Sequence, residues 1–307
     1  IAFKTMQGSR TKIKPRPLGN IKTQDMIKKT ALLLVSTFII FSCESQNKGN
    51  NSKGQEVVEI GDYETLTFKE LEVLANKGDS IAQNLIGDAF YYGIDTIIDY
   101  ETAVKWYEKS ASKNYIDDQN ALAFCYLKGR GIKQDVKRAY EIYRNNAEKG
   151  DSKAIFNLSS FYKFGIVVER NMEKAISLLQ ESAEKGSSDA QNDLAIHYYN
   201  GIGVEKNYEL AFQLFKSAQE NGLKEAYSPL AWCYLTGLGV KKDLKKAIEI
   251  YEAGSKNGCH ISQYNLGLIY FEGKLVDKDL TKAKSLIKQS MEQGNEQAIL
   301  FWNENFK

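Results

Sequence analysis

A period of 36 residues governs this chain. Gly78, Gly150, Gly186, Gly222, Gly258 and Gly294 share one register, with Asn114 at the remaining step. Gly93, Gly129, Gly165, Gly201, Gly237 and Gly273 keep the same spacing, and so do Ala103, Ala139, Ala175, Ala211, Ala247 and Ala283. A fixed period of this length marks tandem copies of one supersecondary unit, and each copy buries its apolar face only by stacking on its neighbours.

The unit reads as two antiparallel helices. Its first helix carries apolar residues at helical spacing, as in Ala190, Leu194, His197 and Tyr198, and stops at the second glycine series. After a loop of about six residues, the second helix begins at Asp99, Asp135, Asn171, Asn207, Asp243 or Asp279, residue types that accept from the exposed N–H groups of a first turn. It ends at the first glycine series, where Gly or Asn tolerates the left-handed conformation that closes a helix. The expectation is an all-α chain, an α-solenoid of six repeats over 79–114, 115–150, 151–186, 187–222, 223–258 and 259–294. A capping helix over 62–78 and another over 295–307 flank it, since terminal units of a solenoid are atypical. The invariant alanines, with Gly87, Ala123, Ser159, Ala195, Ala231 and Gly267 on the first helices, permit close helix approach.

Ahead of the repeats the composition changes. Residues 1–42 carry eight Lys or Arg against one acid, leaving 33 basic and 38 acidic residues in the remainder. That acidic balance argues against a nucleic-acid partner. Met26, Lys28 and Lys29 followed by the apolar run 31–41 and Ser42-Cys43 match a signal peptide over 26–42, with 1–25 an upstream segment. Ile40-Phe41-Ser42-Cys43 resembles a bacterial lipobox, which implies lipidation at Cys43; an ordinary secreted signal and an uncleaved anchor are the alternatives. The polar stretch 43–61 then reads as a flexible tether.

The segment Leu230-Ala231-Trp232-Cys233-Tyr234-Leu235-Thr236-Gly237-Leu238-Gly239-Val240-Lys241-Lys242-Asp243-Leu244-Lys245-Lys246-Ala247-Ile248-Glu249-Ile250-Tyr251 resembles the Sel1-like repeat, a relative of the tetratricopeptide repeat. Gly129-Arg130-Gly131 and Gly201-Ile202-Gly203 repeat its Gly-x-Gly, whereas Asp95, Val167 and Leu275 depart from it. The resemblance implies a right-handed superhelix whose first helices line the concave side. It implies a non-enzymatic scaffold for proteins or peptides, an adaptor of the bacterial cell envelope. With the lipobox, the expected location is lipid-anchored at the outer membrane, on its periplasmic or surface face. Cysteine-rich relatives have been linked to β-lactam binding or hydrolysis, but the paired cysteines of those proteins are absent. A peptidoglycan-binding envelope protein is a further alternative.

Chemistry has little to stand on. His197 occupies a slot held elsewhere by Ala89, Cys125, Phe161, Cys233 and Ile269, and reads as a core histidine; His260, near a helix start, reads as solvated. Cys125 and Cys233 stand three repeats apart, roughly 27 Å at ~9 Å per stacked helix, beyond any disulfide, and with Cys259 they read as small buried hydrophobes. No metal-ligand spacing occurs, and the Gly-x-Gly pairs lack the following Gly-Lys-Ser/Thr of a phosphate loop. No catalytic residue, metal or small-molecule cofactor is therefore expected.

A partner is sought where the repeats differ. One first-helix row reads Asp88, Phe124, Ser160, Ile196, Trp232 and Leu268; the row one turn earlier reads Asn84, Asn120, Phe156, Asn192, Ser228 and Tyr264. Aromatic residues anchor protein interfaces. Trp232, Tyr264, Phe124 and Phe156, with Ile196 and Leu268, are thus the expected contact residues, unless they cover the second helix of the preceding repeat.

Overall fold

The computed structural model describes residues 63–113 and 115–306. Cys43, the signal segment and the tether lie outside them. The described residues form fourteen α-helices and two short 3-10 turns, with no strand. A turn at Tyr63–Thr65 precedes α1 (Phe68–Asn76), whose N-cap Thr67 and Glu70 bond to each other's backbone N–H groups in a reciprocal box. This box divides the stretch read as a single capping helix, because Thr67 stops the turn and starts α1.

Six helix pairs follow. They are α2 (Ser80–Tyr92) with α3 (Tyr100–Ala111), α4 (Ile116–Lys128) with α5 (Val136–Glu148), and α6 (Ser152–Phe164) with α7 (Met172–Glu184). The second half comprises α8 (Ser188–Asn200) with α9 (Tyr208–Glu220), α10 (Tyr227–Thr236) with α11 (Leu244–Lys256), and α12 (His260–Glu272) with α13 (Leu280–Glu292). The last helix, α14 (Glu296–Asn305), packs on α13. Each helix packs on its neighbours in sequence, as an α-solenoid requires.

Local chemistry sets the helix limits. All six Asp or Asn residues ahead of the second helices accept from the backbone N–H three residues on, Asp99 from Thr102 at 3.0 Å and Asp243 from Lys246 at 2.9 Å. All six first helices close on a left-handed glycine, from Gly93 at φ 72° to Gly273 at φ 68°. Only the fifth pair starts irregularly. A 3-10 turn, Lys224–Ala226, stands where the other first helices begin, since Pro229 has no N–H to give to a carbonyl one turn back.

The six invariant alanines are fully buried. At the facing position, a Cβ on Gly87 would lie 2.6 Å from the Tyr107 ring, and one on Gly267 would lie 2.6 Å from Ile287. Small residues on one helix thus make room for large ones on the next. Polar staples recur at the seam between the two helices. Ser182 and Ser290 donate to the carbonyls of Ser152 and His260 at 2.7 and 2.6 Å. Gln83, Gln191 and Gln263 donate to carbonyls of the preceding helix, those of Ala75, Ala183 and Ser255. These contacts satisfy groups that burial would otherwise strand.

The loop glycines carry a second constraint. A Cβ on Gly131 or Gly239 would stand 2.0 Å from the carbonyl oxygen of Tyr100 or Tyr208, at the start of the previous repeat's second helix. Where the glycine is missing, Asp95 and Val167 still take the left-handed conformation, at φ 55° and 66°.

Candidate binding face on the first helices

The two variable rows lie along the first helices and reach across the seams between repeats. In the earlier row three of the four polar members bond to neighbours, while the buried Asn192 Oδ1 has no hydrogen-bond partner among the described residues. Asn84 Nδ2 donates to Asp118 at 2.9 Å, Asn120 Nδ2 donates to Asp151 at 2.8 Å, and Ser228 accepts from Asn265 at 3.0 Å. Phe156 packs on the core made by Ile176, Leu179 and Leu194, half-buried. The Tyr264 ring meets Phe301 of α14 edge-on at 6.2 Å, and burial pushes its hydroxyl up to about 12.

The later row is half-buried in five repeats and buried at Trp232. Asp88 accepts from the Tyr107 hydroxyl at 2.7 Å; burial raises its carboxyl above the usual range against that hydrogen bond. Phe124 lies beside the Tyr91 ring and beneath the Arg130 guanidinium. Ile196 packs partly on the core around Ala211, Leu230 and Cys233, and Leu268 is half-buried. Trp232 is only 8% exposed, and its Nε1 donates to the Tyr199 hydroxyl of the previous repeat at 2.9 Å. Trp232 is thus buried in the seam between two repeats.

The row one turn further on carries what the sequence reading passed over. It holds Tyr92, 45% exposed, and Phe164, 46% exposed, followed by Asn200, Thr236 and Glu272. Its variability from repeat to repeat is the signal that could have found it. Charge also varies along this side. Lys153 pairs with Asp117 at 2.9 Å and Lys163 with Asp193 at 3.0 Å, both across a repeat boundary.

The titratable groups look structural. His197 is 2% exposed, and its Nδ1 donates to the Ile202 carbonyl at 2.7 Å, tying the loop to the helix; burial pushes its pKa down, which keeps it neutral. His260 is half-buried, in contrast to the solvated position expected from its place near a helix start. Its Nδ1 is enclosed without a hydrogen-bond partner among the described residues, and burial with the Lys224 charge lowers its pKa. Cys125, Cys233 and Cys259 are buried, and burial pushes the Cys233 thiol up to about 12, far from a reactive thiolate. Among the described residues no cluster of His, Cys, Asp or Glu could hold a metal ion, and no helix is long and apolar enough to cross a membrane.

Six consecutive stretches, 80–115, 116–151, 152–187, 188–223, 225–259 and 260–295, match the Sel1 repeat family. A Sel1 repeat protein from Oxalobacter formigenes superposes with a TM-score of 0.63 at 27% identity, covering 74% of this chain and 100% of that one. The c5321 protective antigen of uropathogenic Escherichia coli, described as having an SLR fold, superposes with a TM-score of 0.56 at 28% identity, over 76% of this chain and 50% of that one. Protein sel-1 homolog 2 of Rattus norvegicus is 40% identical over 70 residues, which is 22% of this chain and 10% of that protein. This chain therefore aligns with about a tenth of that curated relative's length.

Proposed function

Because the chain belongs to the Sel1 repeat family, whose members mediate protein–protein interaction, we propose that it is a non-enzymatic scaffold that binds a partner protein along its first helices. The observation that supports this most is the division of labour among rows. The alanine row is fully buried and identical in all six repeats, whereas the rows carrying Tyr92, Phe124, Phe164, Ile196 and Leu268 vary and keep apolar surface open. Packing forces repeats to agree; binding lets them differ. Trp232 and Tyr264 back that surface from the seams of repeats 5 and 6, and Phe156 backs it from repeat 3.

The decisive experiment places a photo-crosslinking residue at 164 and at 268, with exposed Lys246 on a second helix as control. Adducts with one discrete protein at 164 and 268 but not at 246 are expected. Equal labelling at all three sites would sink the reading.

The setting follows from the amino end. The lipobox resemblance at Cys43 supports attachment to a bacterial membrane through an acyl chain, with 43–61 as spacer. Cys43→Ser removes the acyl acceptor and is expected to move the chain from the membrane to the soluble fraction. Unchanged membrane recovery would rule the lipid out.

A further inference from the structure

The six loops between first and second helices act as controls for one another, and two adjacent loops break the pattern. The last two loop positions before the N-cap hold Lys133-Gln134, Glu169-Arg170, Glu205-Lys206, Lys241-Lys242 and Asp277-Lys278, but Ile97-Ile98 in repeat 1. The fold does not need isoleucine there. Ile98 covers Gly93 with its Cγ1, a task that the stems of Gln134, Arg170, Lys206, Lys242 and Lys278 perform elsewhere. Ile97 is 78% exposed and Ile98 57%, beside Ile94 at 55% and Tyr92 at 45%. Leaving three isoleucines in water on one loop lacks a packing reason and marks a contact surface.

The neighbouring loop departs in the opposite sense. Its first position after the glycine is Ile94, Ile166, Ile202 or Leu238 in four repeats and a cation in repeats 2 and 6, Arg130 and Lys274, of which Lys274 pairs with Glu272 at 3.1 Å. The exposed Arg130 guanidinium sits over the rings of Tyr100, Tyr91 and Phe124 at 5.4, 5.7 and 5.9 Å and donates to the Tyr91 hydroxyl at 2.6 Å. Tyr100 begins the helix that follows Ile97 and Ile98, and the Tyr91 and Tyr92 rings touch at 4.9 Å, so the guanidinium and the apolar loop share one edge. Among the described residues no carboxylate pairs with Arg130. A guanidinium held over an aromatic cluster, with neutral partners alone, is preorganised for a carboxylate.

We propose that the loop edge of repeats 1 and 2 is a second docking surface, for a peptide segment of a partner protein that sets a carboxylate beside large aliphatic side chains. Arg130 takes the carboxylate, and Ile94, Ile97 and Ile98 take the aliphatic groups. The three exposed isoleucines offer on the order of 400 Å², about half of what each partner gives to a standard protein interface, which suits a peptide segment better than a second copy of this chain. The edge adjoins the first-helix rows at Tyr92 and Phe124, but the variants below change neither residue, so either reading can fail alone.

The test is selection from a random twelve-residue peptide library on the full chain, with fluorescence anisotropy of the labelled winners. The variants are Arg130→Gln, which keeps the stem, and Ile97→Lys with Ile98→Lys, which reproduces the Lys241-Lys242 loop that this fold already accommodates. Enriched peptides should combine Asp, Glu or a terminal carboxylate with Leu, Ile or Phe. Their affinity should fall at least tenfold in each variant while the melting curve stays unchanged. Three results would overturn the proposal. The first is no enrichment, or enrichment of peptides insensitive to both variants. The second is cosedimentation with phosphatidylglycerol–phosphatidylethanolamine vesicles that the double lysine variant loses, which would make a bilayer the occupant. The third is a concentration-dependent dimer lost in that same variant, which would make it a second copy.

Discussion

At the residue scale the most unusual group is Asp118. Its position in the first helix is Ala82, Ala154, Ala190, Ala226 or Ser262 in the other repeats, yet here a carboxylate is fully buried. It accepts from the Ser110 hydroxyl and from Asn84 Nδ2. Burial outweighs these bonds and pushes its pKa up to about 7. An unfolded Asp titrates near 3.9. The folded chain therefore binds this proton more tightly, and stability falls as pH rises from about 4 to 7 and then levels off. Asp118→Asn removes the cost of the buried charge and should stabilise the chain on the order of 2 kcal/mol at pH 8, with little change at pH 4. Urea melts at the two pH values measure it, and equal effects at both would disprove a buried ionised carboxylate.

At the scale of the element, the Gly-x-Gly pair shows how one repeat constrains the next. Gly239 has φ 73° and no room for a Cβ beside the Tyr208 carbonyl, whereas Gly258 has φ 77° and nothing within 4 Å. Gly239→Ala combines backbone strain with a clash against fixed backbone and should cost about 3 kcal/mol or more. Gly258→Ala meets only the strain and should cost about 1 kcal/mol. Denaturant unfolding of the two variants separates these effects. Equal losses would mean that the loop can withdraw from the helix of the preceding repeat.

At the scale of the whole molecule, stability is a sum of repeats and the seams between them. The last helix, α14, closes repeat 6 through an aromatic cluster. Phe301 meets Phe271 at 5.1 Å and Tyr264 at 6.2 Å, and Phe306 meets Phe271 at 5.7 Å. Removing residues 296–307 uncovers these rings and should cost about 3 to 5 kcal/mol. Amide exchange is then expected to rise first in α12 and α13, with repeats 1 to 3 unaffected. A uniform rise along the chain would show instead that the solenoid unfolds as one cooperative unit.

Much of this was legible without coordinates, because short-range physics was written six times over. The Asp and Asn caps and the left-handed glycines depend on residues within a few positions of one another, and the period and the alanine row were legible because each recurs in every repeat. Repetition separated those signals from chance, and the match to the Sel1 repeat family agrees with them. Only the tertiary structure decided which variable residues face water. Trp232 is buried because Tyr199, 33 residues earlier, receives its indole N–H across a seam. Ile97 is exposed because nothing in the fold occupies the space that a charged side chain fills elsewhere. Asp118 carries its burden because α2 and α3 close over it from the preceding repeat. Helix formation and capping are local and can be read along the chain; exposure is set by the stacking of repeats, which depends on side chains far apart in sequence.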